Sequence, residues 1–155
     1  MNSKRYASET SVSSEKSRME IETTLRRYGA SAFMYGTTDE RAVVAFEAQG
    51  RRIKFELPMP DKKLPEFWRT KGRYQPRSAE QAHAAWEQAC RSRWRALALC
   101  IKAKLEAVAS GITEFESEFL AHIVLPNGQT VGESARPGIA AAYEGRPMPP
   151  LLGHF

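Results

Sequence analysis

Residues 78–110 decide the fold, and they read SAEQAHAAWEQACRSRWRALALCIKAKLEAVAS. No glycine or proline interrupts the segment, and Ser78 and Gln81 have the spacing of a capping box, which satisfies free backbone groups at a helix start. The large apolar residues share one helical face: Trp86, Cys90, Trp94, Leu97, Ile101, Leu105 and Val108. The charged residues lie opposite: Glu87, Arg91, Arg95, Lys102 and Glu106. We therefore predict one amphipathic helix of about 31 residues, roughly 45 Å long.

The residues before this helix follow the two-residue period of β-strands. Residues 32–35, 41–48 and 51–57 are rich in β-branched and aromatic types. Along the last of these, Ile53 and Phe55 alternate with charged neighbours, which indicates one buried and one solvated face. We predict a three-stranded antiparallel meander with one face in water.

Shorter helices complete the predicted architecture. Serine or threonine residues suited to capping lie at the starts of predicted helices at 14–28, 113–124 and 131–144. The predicted fold class is α+β. The N-terminal helix and the long central helix pack on one face of the sheet, and the C-terminal helices complete the core.

The domain organisation follows from the same pattern. We expect a flexible arm over residues 1–12, a single α+β domain over residues 13–145, and a C-terminal tail over residues 146–155. Three apolar residues of the tail are candidates to pack on the core: Leu151, Leu152 and Phe155.

Composition excludes several classes of protein. The chain has 155 residues, of which 42% are hydrophobic and 26% charged, and this is typical of one globular domain. Its apolar runs are too short for a transmembrane helix, and its polar start does not resemble a secretory signal. Two cysteines do not make a disulfide framework. We expect a soluble cytoplasmic protein without membrane contact.

The positive charge is concentrated in one part of the chain. The formal net charge is +5. Residues 61–110 contain eleven basic and five acidic side chains, whereas residues 111–155 contain two basic and five acidic ones. A partner of opposite charge is therefore expected at the middle of the sequence.

A proline-bracketed connector at residues 58–77 carries much of this charge, interleaved with aromatic residues. A connector of this length is either disordered or functional. Lysine and arginine neutralise phosphates, and flat side chains stack on unpaired bases. The predicted nucleic-acid-binding residues come from the connector and the exposed face of the long helix: Trp68, Arg69, Lys71, Arg73, Tyr74, Arg77, Arg91 and Arg95.

A structural interpretation of the same residues competes with this one. Phe67 and Trp68 can anchor the connector to the core while the charges are only solvated. In addition, Glu87 precedes Arg91 by four residues, which is the spacing of an ordinary ion pair on a helix surface.

Catalytic motifs are weak throughout the sequence. Glu114, Glu118 and His122 have the spacing of one helical face and are candidate metal ligands, but no second ligand pair accompanies them, which favours a solvated face. Cys90 and Cys100 are too far apart on one helix for a disulfide and are predicted to be small buried residues.

Other signatures of enzymes are also missing. Neither His83 nor His154 accompanies a recognisable nucleophile, and the sequence contains no glycine-rich phosphate loop. We predict no cofactor and no resident metal, and the sequence leans against an enzyme.

Three stretches together resemble a family of small proteins encoded by tailed bacteriophages and prophages. They are YASETSVSSEKSRMEIETTLRRYGASAFMYG at residues 6–36, IKFELPMP at residues 53–60, and RWRALALCIKAKLEAVASGITEFESEFLAHIVLPNGQTVGE at residues 93–133. The resemblance implies expression in the cytoplasm of a bacterial host, beside phage genes for DNA handling or host takeover. It assigns no catalytic residue.

The order α-β-β-β-α is also similar to that of double-stranded-RNA-binding domains. Those domains carry lysines at the start of the last helix, whereas residues 78–85 contain neither lysine nor arginine. This similarity is therefore an analogy of fold alone.

Three functional hypotheses follow. The first is a phage accessory protein that binds nucleic acid, with single-stranded DNA or RNA favoured. The second is a non-enzymatic module that inhibits or modulates a host or defence protein. The third is a metal-dependent enzyme using Glu114, Glu118 and His122. The length of the central helix also offers a surface for homo-oligomerisation.

Overall fold

The computed structural model describes residues 5–152. Its elements in chain order are α1 (Ser14–Arg27), β1 (Ala32–Thr37), β2 (Arg41–Ala48), β3 (Arg51–Pro58), α2 (Pro65–Trp68), α3 (Ala79–Ala109), α4 (Phe115–Glu118), a 3₁₀ turn (Leu120–His122) and α5 (Val131–Tyr143). The predicted α+β fold, with its antiparallel sheet, N-terminal helix and long central helix, is confirmed.

The three strands form an antiparallel sheet in the order β1-β2-β3. Phe33, Phe46 and Ile53 lie in one row across the strands. Side chains alternate between the two faces of a strand, so this row points to the same face as the residues two positions away along each strand. Together they form the apolar face. Val44 and Ile53 on this face are fully buried.

Helices α1 and α3 cover that apolar face. The capping box predicted for α3 is present, because Ser78 accepts from the backbone N–H of Gln81 while the Gln81 side chain accepts from that of Ser78. The two helices pack against each other and bury a shared set of side chains that includes Ile21, Leu25, Trp94, Leu97, Ile101 and Leu105. Each such side chain contributes about 1.5–3 kcal/mol to stability by leaving water.

The segment after α3 differs from the predicted helix at 113–124. The helix stops at Glu118, and a 3₁₀ turn leads to Ile123, which forms an antiparallel bridge with Ile53 of β3. The N–H of Val124 also donates to the carbonyl of Arg52 at 2.8 Å. Pairing with the exposed edge of β3 requires extended backbone at Ile123, and this interaction overrides the helical period.

The connector at residues 58–77 is folded. It contains α2, whose Phe67 is buried, and a bridge between Arg69 and Pro76. Two tryptophans fasten it through their indole N–H groups, since Trp68 donates to the carbonyl of Lys62 and Trp86 to that of Pro60.

Part of the predicted flexible arm contacts α3. Ala7 is buried, and the amide of Gln88 donates to the carbonyls of Ser8 at 3.4 Å and Thr10 at 2.9 Å. The segment predicted as an arm therefore contacts the long helix through Ser8 and Thr10. Residues 1–4 lie outside the described part of the chain.

Leu151 of the predicted tail packs against α5. A Cβ built on Gly138 would approach Cδ2 of Leu151 to 2.8 Å, so any larger residue there would require the Leu151 side chain to shift. Leu151 and Leu152 stay partly exposed, at 38% and 43%. Phe155 and His154 fall outside the described residues.

The two cysteines have different environments. Cys90 is buried, as predicted, but Cys100 is exposed, and the prediction that it is buried is wrong. Ten residues at about 100° each place Cys100 about 80° around the helix from Cys90, outside the stripe that faces the core.

No helix between residues 5 and 152 is both long enough and apolar enough to cross a membrane.

Candidate nucleic-acid interface

A groove of about 320 Å³ lies between α3, the connector and residues 5–8. Four basic side chains line it: Arg5, Lys71, Arg77 and Arg93. One carboxylate, that of Glu66, accompanies them, and the remaining lining residues are neutral: Ser8, Pro60, Phe67, Ala85, Gln88, Ala89 and Ser92. We call this feature the cationic groove.

The charges of the cationic groove are largely uncompensated. Arg5, Lys71 and Arg93 make no ion pair with any residue between 5 and 152. Like charges that converge without counter-ions repel one another, so their positive potential is available to an anionic ligand.

Arg77 has a structural part in the groove. Its Nη1 donates to the carbonyl oxygens of Glu66 at 3.1 Å and Phe67 at 3.2 Å, and its backbone N–H donates to the carbonyl of Trp68. These bonds satisfy carbonyls at α2 that the short helix leaves free. Arg77 therefore holds the wall of the groove in place as well as adding charge to it.

The tip of the connector is a tight loop between Thr70 and Gln75. The backbone N–H of Gln75 donates to Oγ1 of Thr70, and the N–H of Thr70 donates to the carbonyl of Gln75. Gly72 and Tyr74 have positive φ angles of 82° and 55°. Between these bonds the loop presents Lys71, Arg73 and Tyr74, all of them exposed.

The two predicted stacking residues, Tyr74 and Trp68, differ in solvent exposure and in hydrogen bonding. Tyr74 is 63% exposed, and the guanidinium carbon of Arg69 lies 5.9 Å from its ring centroid. Trp68 is 42% exposed, but its indole N–H is bonded to the carbonyl of Lys62. Tyr74 is thus the more exposed of the two rings, with Arg69 over one face, whereas Trp68 also anchors the connector.

Arg91 and Arg95 do not line the cationic groove. Arg95 pairs with Glu20 of α1, and Arg91 bonds to the Gln88 side chain. Arg91 lines another hollow, of about 430 Å³, where Arg18 is the only other basic residue and three carboxylates balance them: Glu15, Asp39 and Glu87. The structure therefore divides the predicted set: Lys71 and Arg77 line the cationic groove, whereas Arg91 and Arg95 lie on the α1 side of α3. The other predicted residues of the connector line neither hollow: Trp68, Arg69, Arg73 and Tyr74.

Sequence reasoning missed Arg93 and Arg5. Arg93 is about 200° around the helix from both Arg91 and Arg95, so it faces the connector when they face α1. The sequence does indicate that another segment packs on this face of α3, because Ala85, Ala89 and Ser92 are small enough to allow a close approach. Arg5 carried no such signal, because only the folded arm brings it to the groove.

The candidate metal ligands are not brought together. Lys104 pairs with Glu118 at 3.2 Å, and the ring of His122 stacks on Phe55 with centroids 4.0 Å apart. Burial, together with nearby Lys104, lowers the pKa of His122. Among the residues that the structure describes, no group of three or more His, Cys, Asp or Glu side chains is placed to hold a metal ion.

Comparisons of the chain with protein-family models, curated proteins and solved structures give no match.

Proposed function

We propose that this protein binds single-stranded nucleic acid along the cationic groove. The observation that carries the proposal is the convergence of Arg5, Lys71, Arg77 and Arg93 on one groove with a single carboxylate among them. Phosphodiesters supply the matching negative charge, and arginine matches their geometry with paired N–H donors.

Single strands are favoured over duplexes by the aromatic group at the connector tip. Stacking on Tyr74 requires a base whose face is open, and a base in a duplex is already stacked on its neighbours. Tyr74 belongs to the same loop as Lys71 and is 63% exposed. A strand whose phosphates contact the groove can therefore place a base on this ring.

The proposed setting is that of a phage-encoded accessory protein in the cytoplasm of a bacterial host. The resemblance of the sequence to small phage and prophage proteins supports it. Non-catalytic binding of nucleic acid is consistent with a protein expressed beside phage genes for DNA handling.

The test is a binding titration with 5′-labelled oligo-dT of twenty nucleotides, followed by fluorescence anisotropy between 50 and 200 mM NaCl. Four phosphate contacts on a single strand give a log–log salt slope of about −3. A labelled duplex of the same length should bind more weakly. No binding at 50 mM NaCl, or binding that salt does not weaken, would contradict the proposal.

A matched pair of variants separates the groove from net charge. The double variant K71Q/R93Q removes two groove charges and should reduce the magnitude of the slope by about 1.4. The control K16Q/K102Q removes two exposed charges outside the groove and should leave the slope near that of the parent. Equal effects of the two variants would indicate a diffuse charge effect.

The alternative function is a protein–protein module that modulates a host or defence factor. A stoichiometric host protein retained by the immobilised chain, together with absence of oligonucleotide binding, would favour it over the proposal.

A further inference from the structure

The cationic groove is built from segments that are distant in the sequence. The connector contributes Lys71 and Arg77 to its lining, and residues 5–8 contribute Arg5 and Ser8. A ligand that occupies the groove therefore contacts both segments at once. We call residues 5–10 the docked segment, because they are attached to α3 through Ser8 and Thr10.

The docked segment has a defined backbone conformation. The N–H of Ser8 donates to the carbonyl of Arg5 at 3.0 Å, and the N–H of Thr10 donates to the carbonyl of Ala7 at 3.2 Å. These bonds form two successive turns, and Ala7 within them is buried. Because Arg5 belongs to the first turn, its place in the groove depends on how the segment is attached to α3.

Gln88 supplies that attachment from inside the groove. Its side-chain NH₂ group donates to the carbonyls of Ser8 at 3.4 Å and Thr10 at 2.9 Å. Gln88 is half-buried and lines the groove itself. Since its NH₂ group is bonded to the backbone of the docked segment, Gln88 acts on a ligand through the residues that it holds in place.

An exposed tyrosine accompanies a groove cation in each of the two segments. Tyr6 directly follows Arg5 and is 93% exposed, and Tyr74 shares a loop with Lys71 and is 63% exposed. Neither tyrosine lines the groove. A base stacked on either ring therefore leaves the groove open to the phosphates of the same strand.

We propose that the docked segment is the second half of the nucleic-acid site, in which Arg5 contacts a phosphate, Tyr6 stacks on a base and Gln88 positions both. This inference rests on the proposed function and extends it to a second segment. Phosphates of a single strand lie in the groove between the two segments, and its unpaired bases stack on Tyr6 as well as on Tyr74.

The stacking role of Tyr6 is tested by fluorescence anisotropy with 5′-labelled oligo-dT of twenty nucleotides at 50 mM NaCl. Y6A should weaken binding at least about fivefold, whereas Y6F keeps the ring and should bind like the parent. An abasic strand of the same length keeps the phosphates but offers no base, so Y6A should bind it like the parent. Equal weakening for both strands would overturn stacking on Tyr6.

The positioning role of Gln88 is tested by a double-mutant cycle on the salt slope. R5Q should reduce the magnitude of the slope by about 0.7, the value for one phosphate contact. Q88M keeps the side-chain length without a donor and should give the same reduction by releasing Arg5. The double variant R5Q/Q88M should lose no more than either single variant, because both remove the same contact.

A matched control and two exposed positions keep the test decisive. Q129M makes the same substitution at an exposed residue outside the groove and should keep the slope of the parent. Arg5 and Tyr6 are exposed, so R5Q and Y6A stay informative if circular dichroism shows that Q88M is unfolded.

The outcomes separate this inference from the proposed function. A parent that binds oligo-dT while R5Q and Y6A bind equally well would exclude the docked segment from the site and leave the proposed function standing. Additive losses in R5Q/Q88M would overturn the positioning role of Gln88. A parent that does not bind oligo-dT would overturn both proposals.

Discussion

Nη1 of Arg77 donates to the carbonyl oxygen of Phe67 at 3.2 Å and so ties the last part of the connector to the single turn of α2. Phe67 is buried, and the connector encloses one wall of the cationic groove. Arg77, a residue of the predicted binding set, thereby stabilises the loop that presents Lys71, Arg73 and Tyr74.

Replacing Arg77 should therefore lower stability, which is unusual for a residue chosen for its charge. R77M keeps the aliphatic stem and loses both carbonyl bonds, and we expect the free energy of unfolding to fall by about 1–2 kcal/mol. R73M changes an exposed side chain at the loop tip and should alter it by less than about 0.5 kcal/mol. Urea denaturation measures both, and equal losses would show that Arg77 does not fasten the connector.

Variants of Arg93 and Arg91 test which side of α3 binds nucleic acid. Arg93 lines the cationic groove, whereas Arg91 belongs to the exposed helix face predicted from the sequence. R93Q should reduce the magnitude of the salt slope for oligo-dT by about 0.7, the value for one phosphate contact on a single strand. R91Q should leave it unchanged, because Arg91 lines the hollow on the α1 side. The reverse order of effects would place the nucleic acid on that side of α3.

Tyr74 should contribute to affinity but little to folding. Y74G removes the stacking surface and should weaken binding of a single strand by about 1–3 kcal/mol. The φ angle of 55° at this position is one that glycine adopts without strain, so the free energy of unfolding should change by less than about 1 kcal/mol. Y74F retains the ring and should bind like the parent. Parent-like binding by Y74G would exclude stacking at this site.

His122 makes stability depend on pH. Burial and Lys104 lower its pKa in the folded protein, whereas the unfolded chain has a value of about 6.5. Between these two values the unfolded state binds more protons, so stability is lost as pH falls below about 6.5. Urea denaturation from pH 7.5 to 5.5 should show this loss, and H122Q should reduce it. An equal loss in H122Q would assign it to other groups.

The two cysteines should react at very different rates. Burial, with Glu87 adding to the effect, raises the pKa of the Cys90 thiol to about 11, so little thiolate forms at neutral pH. Cys100 is exposed. Ellman's reagent should titrate one thiol per native chain and two in urea, and C100S should remove the fast reaction. Rapid reaction of two thiols in the native protein would contradict the buried position of Cys90.

The sequence by itself determined the elements whose stabilising pattern is local. The period of Trp94, Leu97 and Ile101, with a capping box before them, predicts α3 to its ends. Alternation along β2 and β3 predicts the sheet and its buried face. These patterns suffice because each repeats the geometry of one element, and burial of a single face stabilises it.

Where the local sequence pattern and a long-range contact favour different structures, the tertiary contact determined the outcome. The helix predicted at 113–124 ends early because extended backbone at Ile123 completes the edge of β3. Arg93, rather than Arg91, reaches the groove because the rotation of α3 is set by the core, and the path of the connector is set by Phe67 and Arg77. The charged residues can be counted along a sequence. Whether basic side chains from separate segments meet in one groove depends on which segments the core brings together.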